Sequence, residues 1–361
     1  MKLKRFPRLP EEETTPVSRA TVLSVVKKIN RQFKKKRDED EDAAASTFEG
    51  SVFARPKVYV PSGILPVDCI IGSGQGWPTG IIEIYGPEGS GKSAVLEKTI
   101  AAAQKRGFYT AIFPMEYSLD DARVRNVGID TETLMILDAE TIEDIFDQIK
   151  ATTRSIRETD KDTPIVFGWD SVAATPCRSE LENADDTGIE KSNMGRVAQQ
   201  MSKMFKMLVR FLSKNKVCLI CVNQTRASMA MYGPKETTSG GKALRFYAWV
   251  RCRTGIVERI KSKDKQTIGV MIEIESVKNK TGTAPFQKCR LPLTFLRGID
   301  SVQAVWEYGI ELDVFKRKGT SYRFGNQLVT KKSFKKLYGK NHVLIDGLIK
   351  EAARKFTAKL V

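Results

Sequence analysis

Hydrophobic and polar positions along this chain keep two rhythms. Short, nearly unbroken apolar runs recur at Ile81–Tyr85, Tyr109–Met115, Ile165–Asp170 and Val217–Asn223. Runs of that length, rich in β-branched residues, predict buried strands. Two later runs, Tyr247–Thr254 and Gly269–Lys278, predict further strands. Between the early runs lie longer stretches at Ser93–Arg106, Ile142–Thr159 and Gly195–Lys214, where apolar residues recur at helical spacing. Alternating strands and helices predict an α/β core with a mainly parallel sheet flanked by helices. Sites in such folds lie where the strands end, on the carboxyl side.

Outside the core the rhythm changes. Val22, Val26, Ile29 and Phe33 step along one stripe and predict a helix from about Ser18 to Arg37. That stripe needs a partner, either another molecule or the chain's own core. Residues 1–17, with Pro7, Pro10 and Pro16, are expected to be loose. The basic run Lys34–Arg37 abuts the acidic run Asp38–Asp42, and Ala43-Ala44-Ala45-Ser46 follows, a pattern that suits a linker. Near the other end, Asn341–Lys355 predicts a helix with Leu344, Leu348 and Ala352 on one face. The chain therefore divides into an N-terminal helix and linker (1–50), an α/β core (51–300) and a small basic α/β unit (301–361).

Composition narrows the class. The 361 residues are 41% hydrophobic, enough for one large domain with appendages. Apolar runs such as Val217–Val222 are far shorter than a membrane span. The start, Met1-Lys2-Leu3-Lys4-Arg5, has no apolar signal segment. Six scattered cysteines suit a reducing cytoplasm. The Cys218–Cys221 pair reads as core packing. The net charge of +17 favours a polyanionic partner. Residues 301–361 alone carry 13 Lys and Arg against 5 Asp and Glu.

The chemistry begins at Gly86-Pro87-Glu88-Gly89-Ser90-Gly91-Lys92-Ser93, which fits G-x-x-x-x-G-K-[ST] between a predicted strand and a predicted helix. Backbone N–H groups of such a loop curl around nucleotide phosphates, and the helix N-terminus adds its positive end. Lys92 reaches the β- and γ-phosphates, and the Ser93 hydroxyl ligates Mg²⁺. Asp170 ends an apolar strand, as the carboxylate does that holds the Mg²⁺ shell opposite the loop serine. Glu116 closes another strand. It is either a group that orients and polarises the attacking water or a solvated carboxylate.

Asn223-Gln224 ends the next strand, where Gln224 can hydrogen-bond a γ-phosphate and pass its presence onward. The segment after it, Thr225 to Lys242, is read as a long loop containing Arg226, Met229 and Gly240-Gly241-Lys242. Its glycine amides can approach phosphates, and its Met and Tyr can wedge against bases. A second loop, Ala174 to Asn193, opens into Met194-Gly195-Arg196 and reads either as flexible surface or as a functional segment. Lys278-Asn279-Lys280 is either an exposed basic turn or a source of transition-state charge.

Taken in order, Gly86–Ser93, Glu116 with Leu119-Asp120, Asp170-Ser171-Val172-Ala173-Ala174, Met194-Gly195, Asn223-Gln224, the string from Glu236 through Ala248, and Val277-Lys278-Asn279-Lys280 closely resemble the RecA recombinase family. The likeness spans about 58–300 and continues weakly beyond. It implies a P-loop NTPase that uses ATP and Mg²⁺, polymerises as a helical filament on single-stranded DNA, searches double-stranded DNA for homology and exchanges strands. Glu116 would be the catalytic carboxylate and Gln224 the γ-phosphate sensor. Lys278 and Lys280 would reach the neighbouring subunit's ATP. Asp120 would lie near the adenine, with Arg123 where many members carry an aromatic residue.

The same resemblance makes the segments 174–193 and 225–242 the two DNA-binding loops. Met194, Gly195, Gln199, Ser202, Lys206, Met229, Gly240, Gly241 and Lys242 would stand at DNA-contacting positions, with Arg196 and Arg226 beside them. Gln199 stands where a basic residue is usual. The helix at 18–37 would dock on the adjacent protomer. A ring-forming helicase and a non-hydrolysing DNA-binding mediator are the alternatives. The paired lysines and N-terminal helix weigh against the first, and intact Lys92, Ser93, Glu116 and Asp170 against the second.

Overall fold

The computed structural model describes residues 18–33, 58–72, 74–116, 121–187, 194–227 and 236–358. The chain forms two units, Met1–Arg55 and Pro56–Val361. In the first, helix α1 (Arg19–Phe33) starts after Ser18, whose Oγ accepts a hydrogen bond from the Thr21 amide at 3.2 Å. Val22, Leu23 and Val25 on this helix are exposed. The last predicted turn, 34–37, lies outside the described residues.

The second unit opens with a two-residue ladder, β1 (Tyr59–Val60) against β2 (Trp77–Pro78), with α2 (Leu65–Gly72) between them in the chain. The alternating core follows as β3 (Gly80–Gly86), α3 (Lys92–Gln104), β4 (Tyr109–Pro114), α4 (Asp121–Val127), β5 (Leu134–Ile136), α5 (Ile142–Thr159) and β6 (Ile165–Asp170). Next come α6 (Arg178–Thr187), α7 (Met194–Lys214), β7 (Val217–Ala227), β8 (Glu236–Thr238) and α8 (Ala243–Tyr247). Four further strands are β9 (Val250–Lys261), β10 (Thr267–Asn279), β11 (Lys288–Thr294) and β12 (Gly298–Ile299). The chain closes with α9 (Ser301–Glu311), the small sheet β13 (Lys316–Lys318), β14 (Ser321–Phe324) and β15 (Gln327–Val329), and α10 (Lys331–Ala358).

Among the described residues the main sheet runs β12-β11-β10-β9-β3-β7-β6-β4-β5, with β8 paired to β7. The pairings from β9 through β5 are parallel. The β10, β11 and β12 edge is antiparallel. Period-two alternation splits the core between two faces. Ile82 and Ile84 of β3 pack with Val95, Leu96 and Ile100 of α3, whereas Ile81 joins the cluster with Phe146 of α5 and Phe205 of α7.

Helix α5 begins in a capping box. The Asp144 amide donates to Thr141 Oγ1 at 3.2 Å, and Asp144 Oδ2 accepts from the Thr141 amide at 3.0 Å. Helix α7 buries Met201, Phe205, Leu208 and Leu212, a single stripe at helical spacing.

Register sets the site. Pro114 pairs with Asp170, Asp170 with Val222, and Gly86 with Gln224, so β3, β4 and β6 end nearly flush, and β7 runs on past them to Ala227.

Several expectations need correction. The strand expected from Tyr247 starts at Val250, because 243–247 turn into α8, and it continues to Lys261 as one arm of a long hairpin. The segment 174–193 contains helix α6. The segment after Gln224 is partly strand: Thr225, Arg226 and Ala227 pair with Thr238, Thr237 and Glu236. Helix α10 starts ten residues earlier than expected, is kinked at Asn341, and buries Ile345, Ile349 and Ala353 rather than Leu344, Leu348 and Ala352. Two apolar stripes one residue apart are equivalent by periodicity. Packing against α2 and α9 selects one, and the other stays largely on the surface. Trp306, Phe315, Phe334 and Ile345 share one apolar cluster with Ile70 and Leu291. All six cysteines are buried and unpaired with one another, as core packing requires.

Candidate functional site

The phosphate-loop segment leaves β3 at Gly86 and enters α3 at Lys92. Gly91 holds φ at +81°, and a Cβ there would lie 2.6 Å from Ile272 Cδ1, so backbone and space both demand glycine. Ser90 Oγ donates to Pro87 O at 2.6 Å and lies 2.6 Å from Thr254 Oγ1, pinning the loop to β9. Pro87, Glu88 and Gly89 stay exposed. Lys92 Nζ donates to Pro87 O at 2.8 Å, folded back over its own loop. Burial pulls the Lys92 ammonium pKa down, while Asp170, Glu116 and Glu88 oppose that shift.

A cavity of 380 Å³ adjoins the loop, lined among others by Gly89, Lys92, Ser93, Arg123, Thr294 and Phe295. Arg123 on α4 is ion-paired with buried Glu97 on α3 at 3.0 Å. Burial pushes the Glu97 carboxyl up, and Arg123 counters it. The guanidinium is thus tethered to the helix that carries Lys92. Asp120 lies outside the described residues.

Across the strand ends, the Ser93 side chain faces Asp170 closely enough to favour its ionised form. The Asp170 pKa is raised chiefly by burial and also by Glu116, with Ser93 and Lys92 opposing. Among the described residues there is no cluster of three Asp, Glu, His or Cys ligands. The protein offers an ion here one hydroxyl and one carboxylate, oxygen donors that suit Mg²⁺ when nucleotide phosphates complete its shell. Glu116 Oε1 accepts two hydrogen bonds, from Ser171 Oγ at 2.6 Å and from Gln224 Nε2 at 3.1 Å. The Asp170–Ser171 peptide is cis. In the sequence, Ser171 stands out only as part of the string Asp170–Ala174. Its place one residue beyond the strand-ending Asp170 is what carries it to the carboxyl edge of the sheet.

Past Gln224, the chain returns through β8 to Gly240 and Gly241, at φ +79° and +73°. A Cβ on Gly240 would lie 2.5 Å from Met201 Sδ, and one on Gly241 2.6 Å from Ala198 Cβ. The glycines therefore rest on the early turns of α7. Gln199, Ser202 and Lys206 are exposed on that helix, and Lys242 is exposed beside it. Met194, Gly195 and Arg196 form the first turn of α7. Arg226 stands in β7 opposite Thr237. Met229 is outside the described residues. A cavity of 780 Å³ lies between these parts, lined by Val172, Pro176, Ala198, Gly240, Lys242 and Arg245 among others.

Residues 43–300 match the RecA N-terminal domain. The chain belongs to the RecA family. Relatives named Protein RecA include one from Sulfurovum sp. (strain NBC37-1), 35% identical over 273 residues, covering 75% of this chain and 75% of that protein. One from Gloeobacter violaceus is 34% identical over 273 residues, covering 74% and 69%. One from Chlorobium chlorochromatii is 34% identical over 289 residues, covering 79% and 78%. As a RecA-family chain it is an ATP-dependent DNA recombination and repair protein, within a family of nucleotide-binding, DNA-dependent ATPases. No helix among the described residues is long and apolar enough to cross a membrane.

Two of the residues expected at the site stand apart from the others. Lys278 pairs with Arg251, which in turn pairs with Glu83 of β3, three residues before Gly86. Strand β10 runs antiparallel to β9, so Lys278 and Lys280 lie toward the amino ends of the parallel strands, away from Lys92 and Glu116. Lys278 Nζ donates to Phe246 O at 2.9 Å, and Lys280 Nζ to the same carbonyl at 3.4 Å. Burial, aided by Lys280 and Arg251, brings the Lys278 pKa down to about 8.

Proposed function

We propose that this chain is a single-stranded-DNA-dependent ATPase that assembles with ATP and Mg²⁺ into a helical filament, pairs the bound strand with homologous duplex and exchanges strands. The observation that carries the reading is the meeting of Lys92, Ser93, Glu116, Asp170 and Gln224 along the carboxyl edge of four adjacent strands. There, one side chain, Gln224, bonds Glu116 and also leads into the Gly240–Gly241 segment.

The residues divide the work. The loop Gly86–Ser93 cradles the phosphates, and Lys92 exchanges Pro87 O for phosphate oxygens. Ser93 and Asp170 would hold Mg²⁺, which when bound supplies charge neutralisation at the β- and γ-phosphates. Arg123, tethered by Glu97, offers a flat cationic face to the base, with Asp120 nearby. Gln224 gives up Glu116 Oε1 for a γ-phosphate oxygen, and Glu116 is released to orient the attacking water and accept its proton. Gly240, Gly241, Lys242, Gln199, Ser202 and Lys206, with Met194, Gly195, Arg196, Arg226 and Met229, make the DNA-facing surface, held mainly by backbone contact.

Lys278 and Lys280, remote from their own Lys92, would serve the ATP of the next protomer. The exposed apolar residues of α1 suit docking on that neighbour. On this reading 1–50 is the assembly segment, 51–300 the ATPase core and 301–361 a basic accessory unit acting on DNA. The reduced, buried cysteines suit a cytoplasmic setting. Electron microscopy of the full chain with ATP and single-stranded DNA tests the reading. Helical filaments are the expected result, and closed rings would overturn it in favour of a helicase.

A further inference from the structure

Beneath the phosphate-sensing residue lies a polar chain that neither nucleotide binding nor catalysis accounts for. Asn223 is fully buried. Its Nδ2 donates to Glu83 Oε1 at 3.1 Å and to Ser239 O at 3.0 Å. Its Oδ1 accepts from the Gln224 amide at 2.9 Å. Glu83, also fully buried, accepts from Arg251 Nε through Oε2. The Arg251 guanidinium lies 4.5 Å over the Tyr85 ring, and Arg251 pairs in register with Lys278. One connected set of groups thus runs from Gln224 and Ser239 toward the lysine-bearing edge.

Stability alone is a poor reason for this arrangement. A buried carboxylate–guanidinium pair gives up about as much in desolvation as it gains in attraction, so apolar residues of similar volume would pack as well. A bonded polar network instead fixes one geometry and transmits its disturbance. Beside it, Thr238 Oγ1 and Ser239 Oγ are buried without a hydrogen-bond partner. Unmet hydroxyls carry a free-energy cost, so a loop root rearranged to satisfy them would be favoured.

We propose that Asn223 is a positioning residue which, held by Glu83 and Arg251, ties the backbone of Gln224 to the Ser239 carbonyl and so moves the root of the DNA-facing glycines when Gln224 turns to a γ-phosphate. The inference rests on Gln224 being that sensor. It adds the buried carrier of the signal and extends it to the Lys278 edge.

The test compares the wild-type full chain, Asn223→Asp, and the swap Glu83→Gln with Asn223→Asp. Each is assayed for ATP turnover with and without poly-dT and for Tm. In the single variant the new carboxylate cannot donate to Glu83 or to Ser239 O. DNA-stimulated kcat is expected to fall about tenfold or more, with the KM for ATP and DNA-free turnover nearly unchanged. In the swap, the introduced amide can donate to the introduced carboxylate, so Tm recovers. Ser239 O still lacks its donor, so stimulation stays low.

Wild-type stimulation in the single variant, or its return together with Tm in the swap, would overturn the proposal by reducing Asn223 to a structural part. If the swap does not fold, hydrogen exchange of 236–242 in the wild-type chain decides. Different protection with ADP and with ATPγS, without DNA, is expected, and identical protection would overturn it. Failure of DNA to stimulate the wild-type chain would instead remove the underlying reading, a separate and recognisable result.

Discussion

Gln224 Nε2 donates to Glu116 Oε1 at 3.1 Å, joining β7 to the segment just past β4 across the intervening β6. Ser171, just past β6, donates to the same oxygen at 2.6 Å. The carboxylate assigned to activate water is therefore held by the amide assigned to read the γ-phosphate, and ATP must break that bond to engage both.

Replacing Glu116 with Gln keeps the shape of the site and removes the proton acceptor. Turnover is expected to fall by roughly 10² to 10⁴, the range for loss of a positioned base. ATP affinity and ATP-dependent DNA binding should persist. Steady-state kinetics with a fluorescent-nucleotide titration measures both, and near-normal turnover would remove Glu116 from its assigned role.

In the role proposed for it, Lys278 would tie assembly to pH. Its pKa lies at about 8 instead of 10.5, because burial penalises the ammonium. The charge that would meet a neighbour's phosphate is thus lost from the free protomer as pH rises through about 8. Folded stability moves the other way. The unfolded chain holds this proton up to a higher pH, so the penalty on the folded state is relieved between about 8 and 10.5. ATP-driven assembly, followed by light scattering, should weaken from pH 7.5 to 9. Lys278→Arg, which stays charged, should flatten that profile. Parallel profiles for the two proteins would contradict the assignment.

Gly240→Ala tests the glycine hinge. Its φ of +79° and the 2.5 Å approach of a Cβ to Met201 Sδ both oppose a side chain. The strain is about 1–2 kcal/mol. Fluorescence anisotropy should show weaker single-stranded DNA binding at unchanged ATP affinity, and intact DNA binding would place the contact elsewhere.

Arg123→Ala should weaken ATP binding by about 1 kcal/mol, the scale of a cation–π contact at a half-open site. Tripolyphosphate, which has no base, should compete equally well on both proteins. Parallel losses for the two ligands would mean that Arg123 acts on the phosphates.

Much of this was legible in the sequence for a physical reason. Buried parallel strands must be continuously apolar, so β3, β4, β6 and β7 announced themselves, and the polar residues closing them marked the sheet's carboxyl edge. Helix α7 was equally plain, since Met201, Phe205, Leu208 and Leu212 repeat at helical spacing. What stayed hidden depends on contacts distant in sequence. The Glu97–Arg123 pair, the Ser171 bond to Glu116 and the Asn223–Glu83–Arg251 chain have no local period. Helix α6 is a short, charged segment without an apolar stripe, and the face chosen by α10 is settled by α2 and α9.

ATP hydrolysis by the full chain, measured with and without single-stranded DNA, bears most directly on the central claim. Lys92→Ala serves as the control that cannot grip the phosphates. Turnover that rises about tenfold or more on adding DNA, and is absent in the control, is the predicted result. Turnover indifferent to DNA, or no turnover at all, would contradict a site in which Gln224 joins the γ-phosphate to a DNA-binding loop.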